Sequence, residues 1–161
     1  MKERLKFKFK SLMALPNFEF SKEEVSRLEE LIFACLERES EADFINLEKS
    51  IDVAFILSEE VNLGKVSILG LMLHSLITLN AFPDNEIEAS FGIQVASIVK
   101  GLQKASELNS KEQSYESENF RKLLLTLVED IRAVMIIAGL SSCFRKLVLW
   151  HKLQNESNGG Y

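Results

Sequence analysis

Val66-Ser-Ile-Leu-Gly-Leu-Met-Leu-His-Ser-Leu-Ile-Thr-Leu-Asn-Ala-Phe-Pro83 is a run of 18 residues without a single Asp, Glu, Lys or Arg. Its length sits at the lower limit for a membrane span. Its content argues the other way, because Ser67, His74, Ser75, Thr78 and Asn80 interrupt the apolar character and Pro83 closes it. The run reads as a helix buried on most sides within a helical protein. Asn62 is placed to cap it, and Pro83-Asp84-Asn85 reads as a turn with Asp84 as N-cap of a short following helix.

The same helical period extends to both sides. Upstream, Ser21-Lys-Glu-Glu24 has the spacing of a capping box, in which Ser21 accepts from a free backbone N–H and Glu24 reaches back. The helix it opens carries Val25, Leu28, Leu31, Ile32 and Cys35 at steps of three and four. Charges bunch from Glu39 to Asp43, which suggests a turn, and a second helix runs through Ile51, Val53, Ala54, Ile56 and Leu57 to Val61. Downstream, Phe91-Gly92 starts a helix with Val95, Ile98, Val99 and Leu102 on one face. Residues 106–117 are polar and read as a mobile loop. A long helix is expected from Ser117 to Ala138, a last one from Ser141 to Gln154, and a flexible tail over 155–161. Two prolines in 161 residues leave little to break helices, so the fold class is all-α, a single domain over 1–154.

Composition narrows the function without naming it. Nineteen basic against 24 acidic residues give a net charge of −5, a poor footprint for nucleic acid. No signal-peptide pattern is present, since Phe7 and Phe9 are interrupted by Lys8 and Lys10, and the expected setting is cytoplasmic and soluble, without a membrane partner. Met1 to Lys10 holds five basic residues and one acid, and reads as a frayed terminal helix with solvated lysines. Two histidines, His74 and His151, and two cysteines, Cys35 and Cys143, do not make a closed zinc site or a disulfide scaffold.

Three segments together resemble one family. Val53-Ala54 with Ile56-Leu57 is similar to the helix after the first metal histidine in the hydrolase domain of RelA/SpoT proteins. Leu71-Met-Leu-His-Ser75 sits where that family has Leu-Leu-His-Asp, and Phe91-Gly-Ile-Gln-Val-Ala-Ser-Ile-Val-Lys-Gly101 resembles its Phe-Gly-x-x-Val-Ala-x-Leu-Val-x-Gly. The most specific stretch is Glu118-Asn-Phe-Arg-Lys-Leu-Leu-Leu-Thr-Leu-Val-Glu-Asp-Ile-Arg132. It is similar to the family's Glu-Asn-Phe-Arg-Lys-Met-Leu-Leu-Ala-Met-x-x-Asp-x-Arg. Order and gaps agree across residues 30–148.

The resemblance implies a compact, multi-helix HD-type fold. In active members one Mn²⁺, held by a histidine, a His-Asp pair and a distant aspartate, removes the 3′-diphosphate of (p)ppGpp, and a Glu-Asp pair helps activate water. Carried over by position, the metal ligands become Lys49, His74, Ser75 and Leu140, and the catalytic acids become Thr78 and Leu79. The family's nucleotide-gripping Arg-Lys pair falls near Ser40-Glu41. One ligand in four survives. An ammonium ~4 Å from a dication would add repulsion of order 8 kcal/mol at an effective dielectric near 20. A lone imidazole does not hold Mn²⁺ against water, so no cofactor is expected and His74 should be a buried, hydrogen-bonded side chain.

Asn119 and Arg121 match family residues near the substrate pocket and are the candidates for residual, weak guanine nucleotide contacts. Glu129 and Asp130 are helix neighbours about 100° apart, hence no acid/base dyad, and Arg132 is expected to pair with a nearby acid. Cys143 replaces a family histidine as a small core residue, and Trp150 covers the core or meets a following domain. The expectation is therefore a catalytically inactive hydrolase-like domain, the N-terminal part of a RelA-type (p)ppGpp synthetase in the stringent response, with that synthetase domain as its partner. A residual metal-dependent (p)ppGpp hydrolase and a stand-alone nucleotide-sensing module stay open as alternatives.

Overall fold

The computed structural model describes residues 1–112, 118, 119, 122, 125 and 130–140. These form α1 (Lys2–Met13), α2 (Lys22–Leu36), α3 (Glu41–Glu60), α4 (Lys65–Thr78), a 3₁₀ turn (Asp84–Glu86), α5 (Ile87–Phe91), α6 (Ile93–Glu112) and α7 (Ile131–Leu140). No strand occurs among the described residues, in line with the all-α expectation. None of their helices is long and apolar enough to cross a membrane.

The apolar run sits at the centre. Eight of the nine residues from Ser67 to Ser75 are buried, so α4 has no solvent stripe over that length. It packs against α3, α6 and α7, while α1 packs on α3. Helices α4 and α6 approach closely at Gly70, where a Cβ built on the glycine would come 2.5 Å from Ile98 Cγ2 and 3.0 Å from its Cβ. Ile98 is β-branched and fully buried, so it has no spare rotamer with which to yield. Gly70→Ala is therefore expected to destabilise the fold by about 1–3 kcal/mol despite alanine's better helix propensity, read as a lower urea midpoint at unchanged slope.

The capping box forms as the sequence indicates: Glu24 N–H donates to Ser21 Oγ at 3.1 Å and Ser21 N–H to Glu24 Oε2 at 2.8 Å. Leu28, Ile32, Cys35 and Leu36 bury the inner face of α2, and Val95, Ile98, Val99 and Leu102 that of α6. Gly92 joins α5 to α6 at φ +95°, a conformation open to glycine and costly for other residues.

Several boundaries differ from expectation. The turn before α3 comes earlier than Glu39–Asp43, because Ser40 accepts from Asp43 N–H and starts the helix at Glu41. Asn62 does not cap α4; it takes a left-handed φ of 56°, and Gly64 is the N-cap. Asp84 lies inside the 3₁₀ turn and caps nothing with its side chain. Helix α6 runs on to Glu112, so residues 106–112 are helical where a mobile loop was expected. The helix expected over 117–138 is interrupted, since Asp130 is non-helical and its carboxylate accepts from Arg132 N–H at 2.9 Å, opening α7. Arg132 also pairs with Asp130 through its guanidinium at 2.8 Å, as expected of it. The helix expected over 141–154, the tail, Cys143, Trp150, His151, Glu129 and Arg121 lie outside the described residues.

The largest correction concerns the basic start. Helix α1 is packed, not frayed: Leu5, Phe9 and Leu12 are fully buried against α3 and its surroundings. Its cations are distributed over acids of the neighbouring helices. Lys2 and Lys6 meet Glu37, Arg4 meets Glu48, Lys8 meets Glu48 and Asp52, and Lys10 meets Glu29.

Candidate functional site

Three helices deliver the six positions singled out by the family resemblance. Lys49 comes from α3, His74, Ser75 and Thr78 from α4, Leu79 from the end of α4, and Leu140 from the end of α7. All six line one cavity of 570 Å³. They are 91 residues apart at the extremes, and the packing of α4 against both α3 and α7 brings them together. Asn119 does not line it; it is an exposed helical residue.

The hydroxyls in the cavity wall are committed within the protein. Ser75 Oγ donates to the Leu71 carbonyl at 3.0 Å, one turn back. A hydroxyl has one proton, so the 2.6 Å contact between Ser50 Oγ and Ser75 Oγ must have Ser50 as donor. Both serines are buried, and their bond ties α3 to α4. Removing one partner strands the other. Ser75→Ala is expected to cost about 1–3 kcal/mol, and the Ser50→Ala/Ser75→Ala double variant less than the sum of the singles in a double-mutant cycle of urea unfolding.

His74 lies beside this pair. Its Nε2 is 3.4 Å from Ser106 Oγ on α6, and Ser106 gives its own proton to the Leu102 carbonyl at 3.0 Å. The imidazole must then be the donor to Ser106, which assigns the proton to Nε2. Burial lowers the His74 pKa from 6.5 to about 4, so the ring is neutral at neutral pH. The ring is hydrogen-bonded, as the sequence reading has it, but only half-buried, since one side of it lines the cavity. Ser106 and His74 are not a nucleophile and its base, because the serine proton points away from the imidazole.

Thr78 Oγ1 donates back to the His74 carbonyl at 2.9 Å, and Leu79 ends the helix. Arg38, a residue without an assigned role in the sequence reading, reaches across to this end. Its guanidinium donates to the Leu79 carbonyl at 2.7 Å and the Asn80 carbonyl at 3.1 Å. It thereby satisfies carbonyls at the negative end of α4 and fixes the lip of the cavity.

The sequence reading also missed Asn46 and Ser50 on α3, Asp84 on the 3₁₀ turn, and Gln103, Ser106 and Glu107 on α6. Asn46 was within reach of periodicity, three residues before Lys49 on the same helix, and Ser50 follows Asn46 at four residues. The α6 residues carried no such signal, since only tertiary packing brings α6 beside α4.

The donor set does not fit Mn²⁺. The four ligand positions offer an ammonium, a neutral imidazole, a hydroxyl already donating to a carbonyl, and an alkyl chain. Asp84 and Glu107 add carboxylates to the wall, yet among the described residues no three His, Cys, Asp or Glu side chains come together in a metal-binding group.

A model of the HD domain matches residues 32–141. A guanosine-3′,5′-bis(diphosphate) 3′-pyrophosphohydrolase of Haemophilus influenzae is 33% identical over 85 residues, covering 52% of this chain and 12% of that protein. The bifunctional (p)ppGpp synthase/hydrolase SpoT of Escherichia coli is also 33% identical over 85 residues, with the same coverage. A GTP pyrophosphokinase of Myxococcus xanthus is 31% identical over 90 residues, 53% of this chain and 12% of that protein. The match thus spans about an eighth of the length of these relatives. No solved structure matches the chain.

Proposed function

The chain belongs to the HD domain family and is related over about half its length to RelA/SpoT proteins, and from that premise we propose that it is a hydrolase-like domain without hydrolase activity. Its role is structural and regulatory: it packs against a (p)ppGpp synthetase domain and biases that domain's active and inactive states. The observation that supports this reading is the make-up of one cavity. Lys49, His74, Ser75, Thr78, Leu79 and Leu140 meet there, and between them they supply one neutral imidazole and no carboxylate.

Without a carboxylate at these positions the cavity lacks the charge that offsets a dication, and the one imidazole among the six, its pKa lowered by burial, is a weak base toward water. The hydroxyls nearest His74 point their protons at backbone carbonyls, where they brace helices and do not turn toward a substrate. A domain of this kind keeps its shape without the metal, because the Ser50–Ser75 bond joins α3 to α4 directly.

The test is direct. Incubated with ppGpp and Mn²⁺, the chain is expected to release no diphosphate, and Mn²⁺ titration is expected to leave its melting temperature unchanged, since a bound ligand must stabilise the fold. Stoichiometric Mn²⁺ together with released diphosphate would overturn the reading.

A further inference from the structure

Helix α6 buries one flank and leaves the other in water. Its outward stripe is Ile93, Ser97, Lys100 and Lys104, spaced so that all four lie within about 60° of one another around the axis. Ile93 is 69% exposed. Lys100 and Lys104 are exposed and pair with no described acid, whereas every lysine of α1 meets one. Two cations at i and i+4 repel, so the helix gains nothing from them by itself. None of the four residues lines the cavity, which α6 reaches with Gln103, Ser106 and Glu107.

Acids precede the stripe. Glu86 in the 3₁₀ turn and Glu88 in α5 are exposed and likewise pair with no described cation. They stand before α6 across the Gly92 corner, where Gly92 N–H donates to the Glu88 carbonyl at 3.0 Å. The order along this edge is therefore acid, apolar, base, with Ile93 and the short side chain of Ser97 between the charges. A patch of one sign calls for a partner of the other sign. A patch that carries both signs about an apolar centre is completed by its own copy turned through a half-rotation. We infer that the chain forms a two-fold dimer through this edge. Ile93 is covered near the axis, and Lys100 and Lys104 of each copy meet Glu86 and Glu88 of the other. The contact is small, so the dimer is weak and sensitive to salt. It forms whether or not the cavity hydrolyses ppGpp.

Sedimentation equilibrium of the full chain, from about 5 to 500 μM, tests it. A dimer is expected with a Kd on the order of 10–100 μM in ~50 mM salt, weakened about tenfold or more at ~500 mM. Ile93→Asp, the K100E/K104E pair and the E86K/E88K pair are each expected to be monomeric, with melting temperatures unchanged in dilute solution, since all these positions are exposed. Mixing the two charge-reversed variants is expected to restore a dimer of wild-type affinity, because every contact is again between opposite charges. Should a reversed variant fail to fold, the K100Q/K104Q and E86Q/E88Q pairs replace them, each expected to weaken the dimer about tenfold. A monomer across the whole range, a dimer indifferent to Ile93→Asp, reversed variants that stay apart on mixing, or neutralised pairs of unchanged affinity would each overturn the inference.

Discussion

Phe9→Ala is expected to destabilise the protein by about 3–5 kcal/mol, the range for truncating a large aromatic in a closed core. Phe9 is fully buried and is the largest side chain to be so among the described residues, with Leu5 and Leu12 buried on the same face of α1. Against a total stability of roughly 5–15 kcal/mol such a loss brings the chain close to unfolding at ambient temperature. The measurement is the urea midpoint, with Phe9→Leu as a milder companion that keeps most of the volume. Lys8→Met, one residue away, is expected to change stability by less than about 1 kcal/mol. Lys8 holds Glu48 at 3.0 Å and Asp52 at 2.9 Å, but at 31% side-chain exposure water already solvates much of the pair. If Phe9→Ala melts like the wild type, α1 is not part of the core.

The second large effect is on pH dependence. His74 has a folded pKa of about 4 against 6.5 in the open chain, because burial disfavours the imidazolium. Between those values the unfolded chain binds a proton that the folded chain refuses, so stability rises with pH across the interval. The contribution is complete above about pH 6.5 and is lost as pH falls toward 4. At 1.36 kcal/mol per unit the loss approaches about 3 kcal/mol. Glu37, Glu48 and Asp130 have pKa values lowered chiefly by hydrogen bonds from Lys2, Lys8 and Arg132, so their contributions are lost only at more acid pH, below the ordinary carboxylate range. Within the interval from about 4.5 to 6.5 the difference between wild type and a His74 variant reports on this histidine. Chemical unfolding at a series of pH values should show the slope in the wild type and a flatter one in His74→Gln; equal slopes would mean that His74 is solvated.

Much of this fold is visible in one dimension. The 3.6-residue period of Leu28, Ile32 and Cys35, and of Val95, Ile98, Val99 and Leu102, predicts faces that are buried in three dimensions. The Ser21–Glu24 box predicts a helix start because both partners are three residues apart. Helix ends were less legible. Asn62 has the right chemistry for a cap, but the chain needs a left-handed residue there and passes the cap to Gly64. The polar stretch after Ser106 has no apolar stripe strong enough to show as a helix, yet it continues α6, whose earlier turns are locked against α4 and α7. The lysines of α1 suggest solvent, but apart from Glu3 beside Lys6 their acidic partners lie 19 to 44 residues away, beyond any local pattern.

By itself the sequence determined that the protein is helical and which helix faces are apolar, and its resemblance to the RelA/SpoT pattern sets ammonium, hydroxyl and alkyl groups against that pattern's metal donors. Those are properties of side-chain identity and of a period built into the backbone, and both can be read from the chain. Only the tertiary structure decided that Lys49, Ser75 and Leu140 share a cavity with Gln103 and Asp84, and that Ser50 hands its proton to Ser75. Cavities and hydrogen-bond directions depend on which groups face each other across 25 or more residues of chain, and packing alone sets that.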